Sequence, residues 1–352
     1  MRTPLNIGIV GFGYWGPNLA RNFNALTGAC LSAVCDPSDS RRIHVKELYP
    51  HTGIYSDFNV MLNDACLDAV VVATPVKTHH LLAKASLQAG KHVLLEKPMA
   101  GSMKDCEELI ALARQQNLIL MVDHTYLYSA PIAKISEIIR GGDIGEIRYI
   151  NCQRLNLGIF QQDTNVVWDL APHDLAIILQ VIGELPQIVN CQGNAHINPQ
   201  IVDVANLSLT FSGNRFATIQ SSWLEPKKVR QMTFVGTRKM IVYDDLQPLE
   251  KIRIYDVRVD CPQSYETFSE FHYAYHYGDC YIPRVEQYEP LSRMCAHFIE
   301  CITEHRVPIS CGTNGLEVVR ILEASHQSLQ SQGGPVGILE LPIALMRSER
   351  TL

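Results

Sequence analysis

The sequence predicts an α/β chain of two domains: an N-terminal domain with a mostly parallel sheet, then a C-terminal α+β domain with a large, mostly antiparallel sheet. Three observations carry that prediction. The first third alternates short β-branched runs with amphipathic stretches, the pattern of βαβ units. After Asp123 strand patterns follow one another without helices between them, as in an antiparallel sheet. The 352 residues, 47% of them hydrophobic, exceed what one core organises and supply apolar surface for two.

Taken in order, strands are expected at 5–10, 31–35, around Ile54, 69–73, 92–95 and 118–122. Helical patterns run between them. In 102–116, Cys106, Leu109, Ile110 and Ala113 recur on one helical face, and Gly90 closes the helix before it. A helix over 131–140 ends at Gly141 and Gly142, and strands are then expected at 147–153, 188–193, 204–211, 216–223, 231–235 and 239–243. Within 204–211, Asn206, Ser208 and Thr210 alternate with Ala205, Leu207, Leu209 and Phe211, so one face is apolar and the other polar but uncharged. Such a face is either an oligomer surface or simply wet. Helices over 291–304 and 314–330 follow. The expected divisions are therefore 1–123, 124–330 and a C-terminal extension, 331–352.

Composition removes several classes of function. Charged residues make up 19% of the chain, the net charge is −6, and acids and bases are interspersed, so no basic footprint for nucleic acid exists. No apolar run approaches the roughly 18 residues of a bilayer crossing, and residues 1–6 carry no signal-peptide core, so a cytoplasmic protein without a membrane partner is expected. The eleven cysteines lie scattered in apolar contexts with no CxxC pair, which reads as reduced, buried thiols and no metal site.

Gly11-Phe12-Gly13-Tyr14-Trp15-Gly16 directly follows a strand and opens a helix, the context in which GxGxxG marks a dinucleotide-binding Rossmann unit. Gly11 permits the tight turn, Gly13 lets the backbone approach a pyrophosphate, and Gly16 lets helix and strand pack closely. The helix N-terminus offers N–H groups to the anion, and Pro17 suits its first turn. Asp36 ends the second strand, where a carboxylate accepts from a ribose and repels a 2′-phosphate, so NAD is favoured over NADP. Arg41 and Arg42 weigh the other way if either holds that phosphate; otherwise they are a solvated helix face. Ala73-Thr74-Pro75 and Glu96-Lys97-Pro98 lie at carboxyl ends of parallel strands, the edge where open α/β sheets bind ligands. Thr74, Pro75, His79, Glu96 and Lys97 are thus candidates to line a cofactor crevice, although His79 alone would pass for a surface residue and Glu96-Lys97 for an exposed charged turn.

With GFGYWG, ATPVKTHH from Ala73, EKP from Glu96 and WDLAPHD over 168–174, the chain resembles the glucose-fructose oxidoreductase and inositol dehydrogenase (Gfo/Idh/MocA) family over nearly its whole length. The segment from Gly315 to Ala324 is similar to that family's closing helix. The resemblance implies that Lys97 is a catalytic lysine, and that Asp169 and His173 are the acid and histidine of a DxGxH pattern. Here Ala171 replaces the glycine and Pro172 precedes His173. GYWGPNLARNF together with Arg154 to Gly158 resembles a subgroup acting on nucleotide-sugars, including UDP-N-acetylglucosamine 3-dehydrogenases. A homodimer or homotetramer is implied as well.

These residues suit oxidation of a secondary alcohol. A histidine side chain ordinarily titrates near neutrality, so His173 can take the hydroxyl proton, while Lys97 stabilises the developing alkoxide. Asp169 and Pro172 suggest that a helix begins here with Asp169 as its N-cap, whose positive end keeps His173 neutral. Read locally, His173 satisfies a buried hydrogen bond and Asp169 merely caps; the family resemblance reverses that reading. The polar stretch after Arg154 offers Arg154, Asn156 and Asn165 to a sugar or phosphate, with Gln161 and Asp163 beside them and Lys227, Lys228 and Arg230 as further cations. The expected activity is an NAD-dependent sugar or nucleotide-sugar dehydrogenase working at a C3-type ring hydroxyl. The alternatives are a keto-sugar reductase running in reverse and a non-catalytic NAD(H)-binding regulator.

Overall fold

The computed structural model describes residues 3–260 and 274–338. Expectations for 339–352, most of the C-terminal extension, lie outside the described residues. The chain divides into two compact units.

The first unit runs to Tyr128 and takes up the chain again over Tyr288–Glu323. It contains β1 (Leu5–Val10), α1 (Gly16–Ala25), β2 (Ala29–Cys35), α2 (Asp39–Leu48), β3 (Gly53–Tyr55), α3 (Phe58–Asp64), β4 (Ala69–Val72), α4 (Val76–Gln88), β5 (His92–Leu95), α5 (Met103–Gln115) and β6 (Leu120–Val122), closed by a 3-10 turn over Thr125–Tyr128. The six strands pair in parallel in the order β3-β2-β1-β4-β5-β6. All four residues of β4, Ala-Val-Val-Val, are buried, as expected where helices cover both faces of a sheet. The order reverses at β1/β4, and crevices outside the carboxyl ends of strands at such a reversal are where these sheets take ligands.

The second unit runs from Ser129 to Gln287 and resumes at Ala324. It begins with α6 (Ala130–Arg140), β7 (Ile147–Leu157) and α7 (Val166–Ile182), followed by β8 (Ile188–Asn194), β9 (Val204–Thr210), β10 (Phe216–Ser222), β11 (Leu224–Gly236), β12 (Met240–Asp244), β13 (Ile252–Asp260) and β14 (Ala274–Tyr281). With β15 (Val336–Gly337) these form a nine-stranded sheet, β14-β13-β12-β11-β7-β10-β9-β8-β15. Ala205, Leu207 and Leu209 of β9 are buried and Asn206, Ser208 and Thr210 are not, as the alternation predicts. One pair departs from the antiparallel expectation: β10 lies parallel to β7. Helix α7 follows β7, so the chain crosses over before the β8–β9–β10 meander returns to β7.

Two further helices, α8 (Pro290–Glu304) and α9 (Gly312–Gln330), show why the division is not the linear one expected from the change of pattern after Asp123. Phe298 of α8 meets Phe23 of α1 edge to face at 6.3 Å, and Ser310 donates to the Val122 carbonyl at 2.6 Å. Segment 288–323 thus completes the first unit's core, and Ser328, late in α9, accepts from the Cys191 N–H within the second. No described helix is long and apolar enough to cross a membrane.

Candidate active site

The glycine turn is built to receive an anion. Gly11 has φ +91, and a Cβ there would lie 2.5 Å from the Ala73 carbonyl oxygen; one on Gly16 would lie 2.2 Å from that of Gly11. At Gly13 a Cβ would meet nothing nearer than the Arg41 guanidinium at 3.7 Å, so the backbone is open to close approach at that position. Helix α1 starts with no side-chain cap on its N-terminal N–H groups and no acid in its first turn. These features fit a dinucleotide pyrophosphate. The Phe12 side chain is buried, whereas Tyr14 and Trp15 stand exposed with their rings edge to face at 5.3 Å.

Asp36 is almost wholly buried and braces this turn. Its Oδ2 accepts the Phe12 N–H at 2.7 Å and Arg41 at 3.3 Å, and its Oδ1 accepts the Ser38 N–H at 2.9 Å. Arg42 donates to the Asp36 carbonyl and pairs with Asp39. Both arginines weighed for a 2′-phosphate are therefore bonded around Asp36.

At the next strand ends, Thr74 accepts from Thr78 at 2.7 Å and exposed Pro75 is the N-cap of α4. His79 corrects the expectation that it lines the crevice or the surface. It is buried, and its ring nitrogens lie 2.9 Å from the Pro98 carbonyl and 2.8 Å from that of Thr74, so it ties two loops together. Burial holds its pKa below the usual histidine range, against the pull of those carbonyls. Glu96 is likewise no exposed turn: it is buried, and its Oε2 accepts the Lys97 N–H at 3.2 Å. Burial and then the charge of Asp123 push its carboxyl well up, while Lys97 opposes. Lys97 is half-buried and precedes a cis Pro98.

In the second unit, α7 starts at Val166, and its N-cap is Asn165, whose Oδ1 accepts the N–H groups of Val167 and Trp168 at 3.1 Å. This corrects one expectation: Asp169 is no cap, and its Oδ2 accepts the Trp223 indole N–H at 3.1 Å. The oxygen of Asn165 serves the helix, so what it offers a sugar is its amide N–H groups. Pro172 is interior to the helix, so His173 lies in the second turn, where the helix terminus has little effect. Trp168, Asp169, Leu170 and His173 form the half-buried side, while Ala171, Pro172 and residues 174–179 are buried. Asp169 and His173 thus share a face one turn apart.

Arg154 is also reassigned. It is buried in β7 and donates through Nε to Asp174 Oδ2 at 3.0 Å and through Nη2 to Oδ1 at 2.7 Å, a bidentate pair that ties β7 to α7. Asn156 stays half-buried near the end of β7. Opposite it β11 bulges: Leu157 pairs with Leu224 and Leu155 with Val229, so four residues of β11, exposed Lys227 and Lys228 among them, face one of β7. Arg230 lies 3.7 Å from Asp245.

Sequence reasoning passed over Asp123 and His124, both buried where β6 ends. Burial raises the Asp123 carboxyl, and burial with the Lys97 charge drives His124 down to about 4. The available signal was position, since an acid directly after a parallel strand stands at the ligand edge. Trp223 and Asp174 gave no local signal, because their partners are remote in sequence.

Residues 5–124 match the family described as oxidoreductase, NAD-binding Rossmann fold, and residues 132–242 match the GFO/IDH/MocA C-terminal domain. The uncharacterized oxidoreductase YrbE of Bacillus subtilis is 25% identical over 351 residues, 96% of this chain and 98% of that one. The UDP-N-acetylglucosamine 3-dehydrogenase of Acidithiobacillus ferrooxidans is 28% identical over 236 residues, 66% of this chain and 70% of that one. Its solved structure covers 94% of this chain and 99% of its own with a TM-score of 0.78 at 22% identity. An Agrobacterium radiobacter oxidoreductase solved with NAD+, L-tartaric acid and magnesium gives 0.77 at 18% identity over 95% of this chain and 98% of that one. Some relatives match over less: an uncharacterized oxidoreductase of Streptococcus pneumoniae, 28% identical over 229 residues, is matched over 60% of this chain and 61% of its own length. Since residues 5–124 match the family's NAD-binding domain and residues 132–242 its C-terminal domain, the chain belongs to the GFO/IDH/MocA oxidoreductase family.

Proposed function

We propose that the chain is an NAD-dependent dehydrogenase of a sugar or nucleotide-sugar, oxidising a ring hydroxyl of the C3 type. The observation that carries this reading is the presence of Asp169 and His173 on one half-buried face of α7, in a chain that also keeps Lys97 at the ligand edge of its NAD-binding domain. Bound NAD supplies the hydride acceptor. His173 takes the hydroxyl proton, and Asp169, held by the Trp223 indole, stabilises the imidazolium that results. Lys97 sets a positive charge against the developing alkoxide.

Nucleotide-sugars are favoured over free sugars by the bulge of β11, where Lys227 and Lys228 stand opposite Asn156 as cations for a diphosphate. Arg154, paired to Asp174, does not serve that purpose. The assembly is a homo-oligomer formed through the uncharged sheet face. There Tyr149 stacks on Phe216 at 5.3 Å, Asn151 donates to Thr218 at 2.9 Å and Gln153 to Gln220 at 3.3 Å.

The test begins with a thermal-shift screen using NAD with UDP-N-acetylglucosamine, its uronate, free inositol and simple hexoses. With the substrate found, His173→Ala lowers turnover by about 10² to 10⁴ and leaves NAD affinity nearly unchanged. Turnover equal to wild type in that variant removes His173 from the reaction.

A further inference from the structure

The ends of β5 and β6 hold side chains that the proposed reaction does not use. Their register, Val93↔Leu120, Leu94↔Met121 and Leu95↔Val122, carries one step further to set Glu96 opposite Asp123. The two are 7% and 3% exposed, and burial together with the charge of Asp123 raises the Glu96 carboxyl. Two carboxylates buried side by side repel each other, so one of them is held neutral.

Their surroundings decide which. Asp123 Oδ1 accepts the Thr125 N–H at 3.1 Å and the Thr125 hydroxyl, donors that favour the charged form. Glu96 Oε1 has no partner among the described residues. The charge therefore settles on Asp123 and the proton on Glu96. Among the described residues, Lys97 is the cation whose charge bears on both members of the pair. His124, 1% exposed and with neither ring nitrogen partnered among the described residues, is neutral, being driven down to about 4. Tyr128 and Cys295 of α8 are held neutral, their pKa values raised by burial.

We propose that Glu96 and Asp123 hold one proton between them and act as a single-charge counterion that positions the Lys97 ammonium. A doubly charged pair would over-compensate the lysine, and a neutral one would add nothing to its hold. One negative charge balances the ammonium and leaves its field available to a developing alkoxide. Glu96 and Asp123 are positioning residues and touch no reacting atom. Their role in turnover rests on the reading of Lys97 as the catalytic cation; their shared proton does not.

Infrared spectroscopy of the full-length protein at pH 7 separates the two. A protonated carboxyl absorbs apart from an ionised one, so the difference spectrum of wild type minus Glu96→Gln contains one positive carboxylic-acid band. No such band overturns the shared proton, whatever the enzyme turns over. In kinetics, Glu96→Gln imitates the neutral acid, its amide donating to Asp123, and lowers kcat less than Asp123→Asn does. Asp123→Asn removes the charge and lowers kcat about tenfold to a hundredfold while KM for NAD stays near wild type. Equal losses in the two variants overturn the assignment of the proton to Glu96. If the band is present and no sugar is oxidised, the pair stands and the dehydrogenase reading falls.

Discussion

Replacing Arg154 by Met separates a structural role from a substrate role for this residue. The guanidinium reaches Asp174 through two bonds of 3.0 and 2.7 Å, and the two side chains are only 6% and 3% exposed. Removing one member of such a pair leaves an uncompensated buried charge and costs about 3–5 kcal/mol. At about 2–4 °C per kcal/mol for a domain of this size, the melting temperature falls by roughly 6–20 °C. Pairing Arg154→Met with Asp174→Leu takes both charges away and restores most of the loss, because an apolar pair of similar volume is about as stable as a buried ion pair. Differential scanning calorimetry of the wild type, the two single variants and the double variant measures this. If Arg154→Met melts within about 2 °C of wild type and its only defect is a raised KM for substrate, the pair does not hold α7 to β7 and Arg154 is a ligand after all.

Three further outcomes are expected. In Gly16→Ala the new Cβ lies 2.2 Å from the Gly11 carbonyl oxygen, so the turn must open and NAD affinity falls about tenfold or more; titration calorimetry giving a wild-type Kd contradicts this. His124 is depressed from 6.5 to about 4 in the folded chain, so between those values the unfolded chain binds a proton that the folded chain refuses. Stability therefore falls as pH drops through that window, by up to about 3 kcal/mol, and His124→Phe flattens the decline; parallel curves of melting temperature against pH for the two proteins rule it out. Under the proposed assembly, Thr218→Arg sets a charge into the uncharged face of β10 and shifts the protein toward monomer in sedimentation velocity, whereas an unchanged distribution refutes an assembly through this face.

What the sequence disclosed and what it withheld divide along one physical line. The alternation in β9, the glycine turn and the placing of Lys97 at a strand end are local, written into spacing over a few residues, and all three reappear in the fold. The burial of Arg154 depends on Asp174, and that of His79 on the carbonyls of Thr74 and Pro98. No pattern along the chain announces partners brought together by packing. The start of α7 was misread for a local reason. Asn165 and Asp169 are both good N-caps and Pro172 suits a first turn, so two starts competed; the apolar pair Val166-Val167, both buried, decides for the earlier one. Helix α8 lies with the first unit although its sequence follows the second, because its apolar face fits α1 and no boundary signal exists for such a return.

Consecutive residues of α7 divide anchoring from chemistry. His173 lies on the half-buried side and Asp174 on the buried side, so the bond that fixes the helix to β7 is one residue from the base proposed to take the proton. Asn165 fixes the helix start and the Trp223 indole fixes Asp169 one turn ahead of His173. Three contacts around it thus fix the helix that carries the histidine. General-base catalysis needs its acceptor within hydrogen-bond reach of one proton, and a small rotation of α7 would move the imidazole out of that reach. Arg154→Met should consequently lower kcat even at temperatures where the protein stays folded. A variant that restores the melting temperature without restoring the salt bridge, Arg154→Met with Asp174→Leu, tells whether the helix needs only to be packed or needs to be held at this angle by the fixed geometry of the guanidinium. Recovery of both stability and turnover in the double variant means that packing alone sets the position of His173.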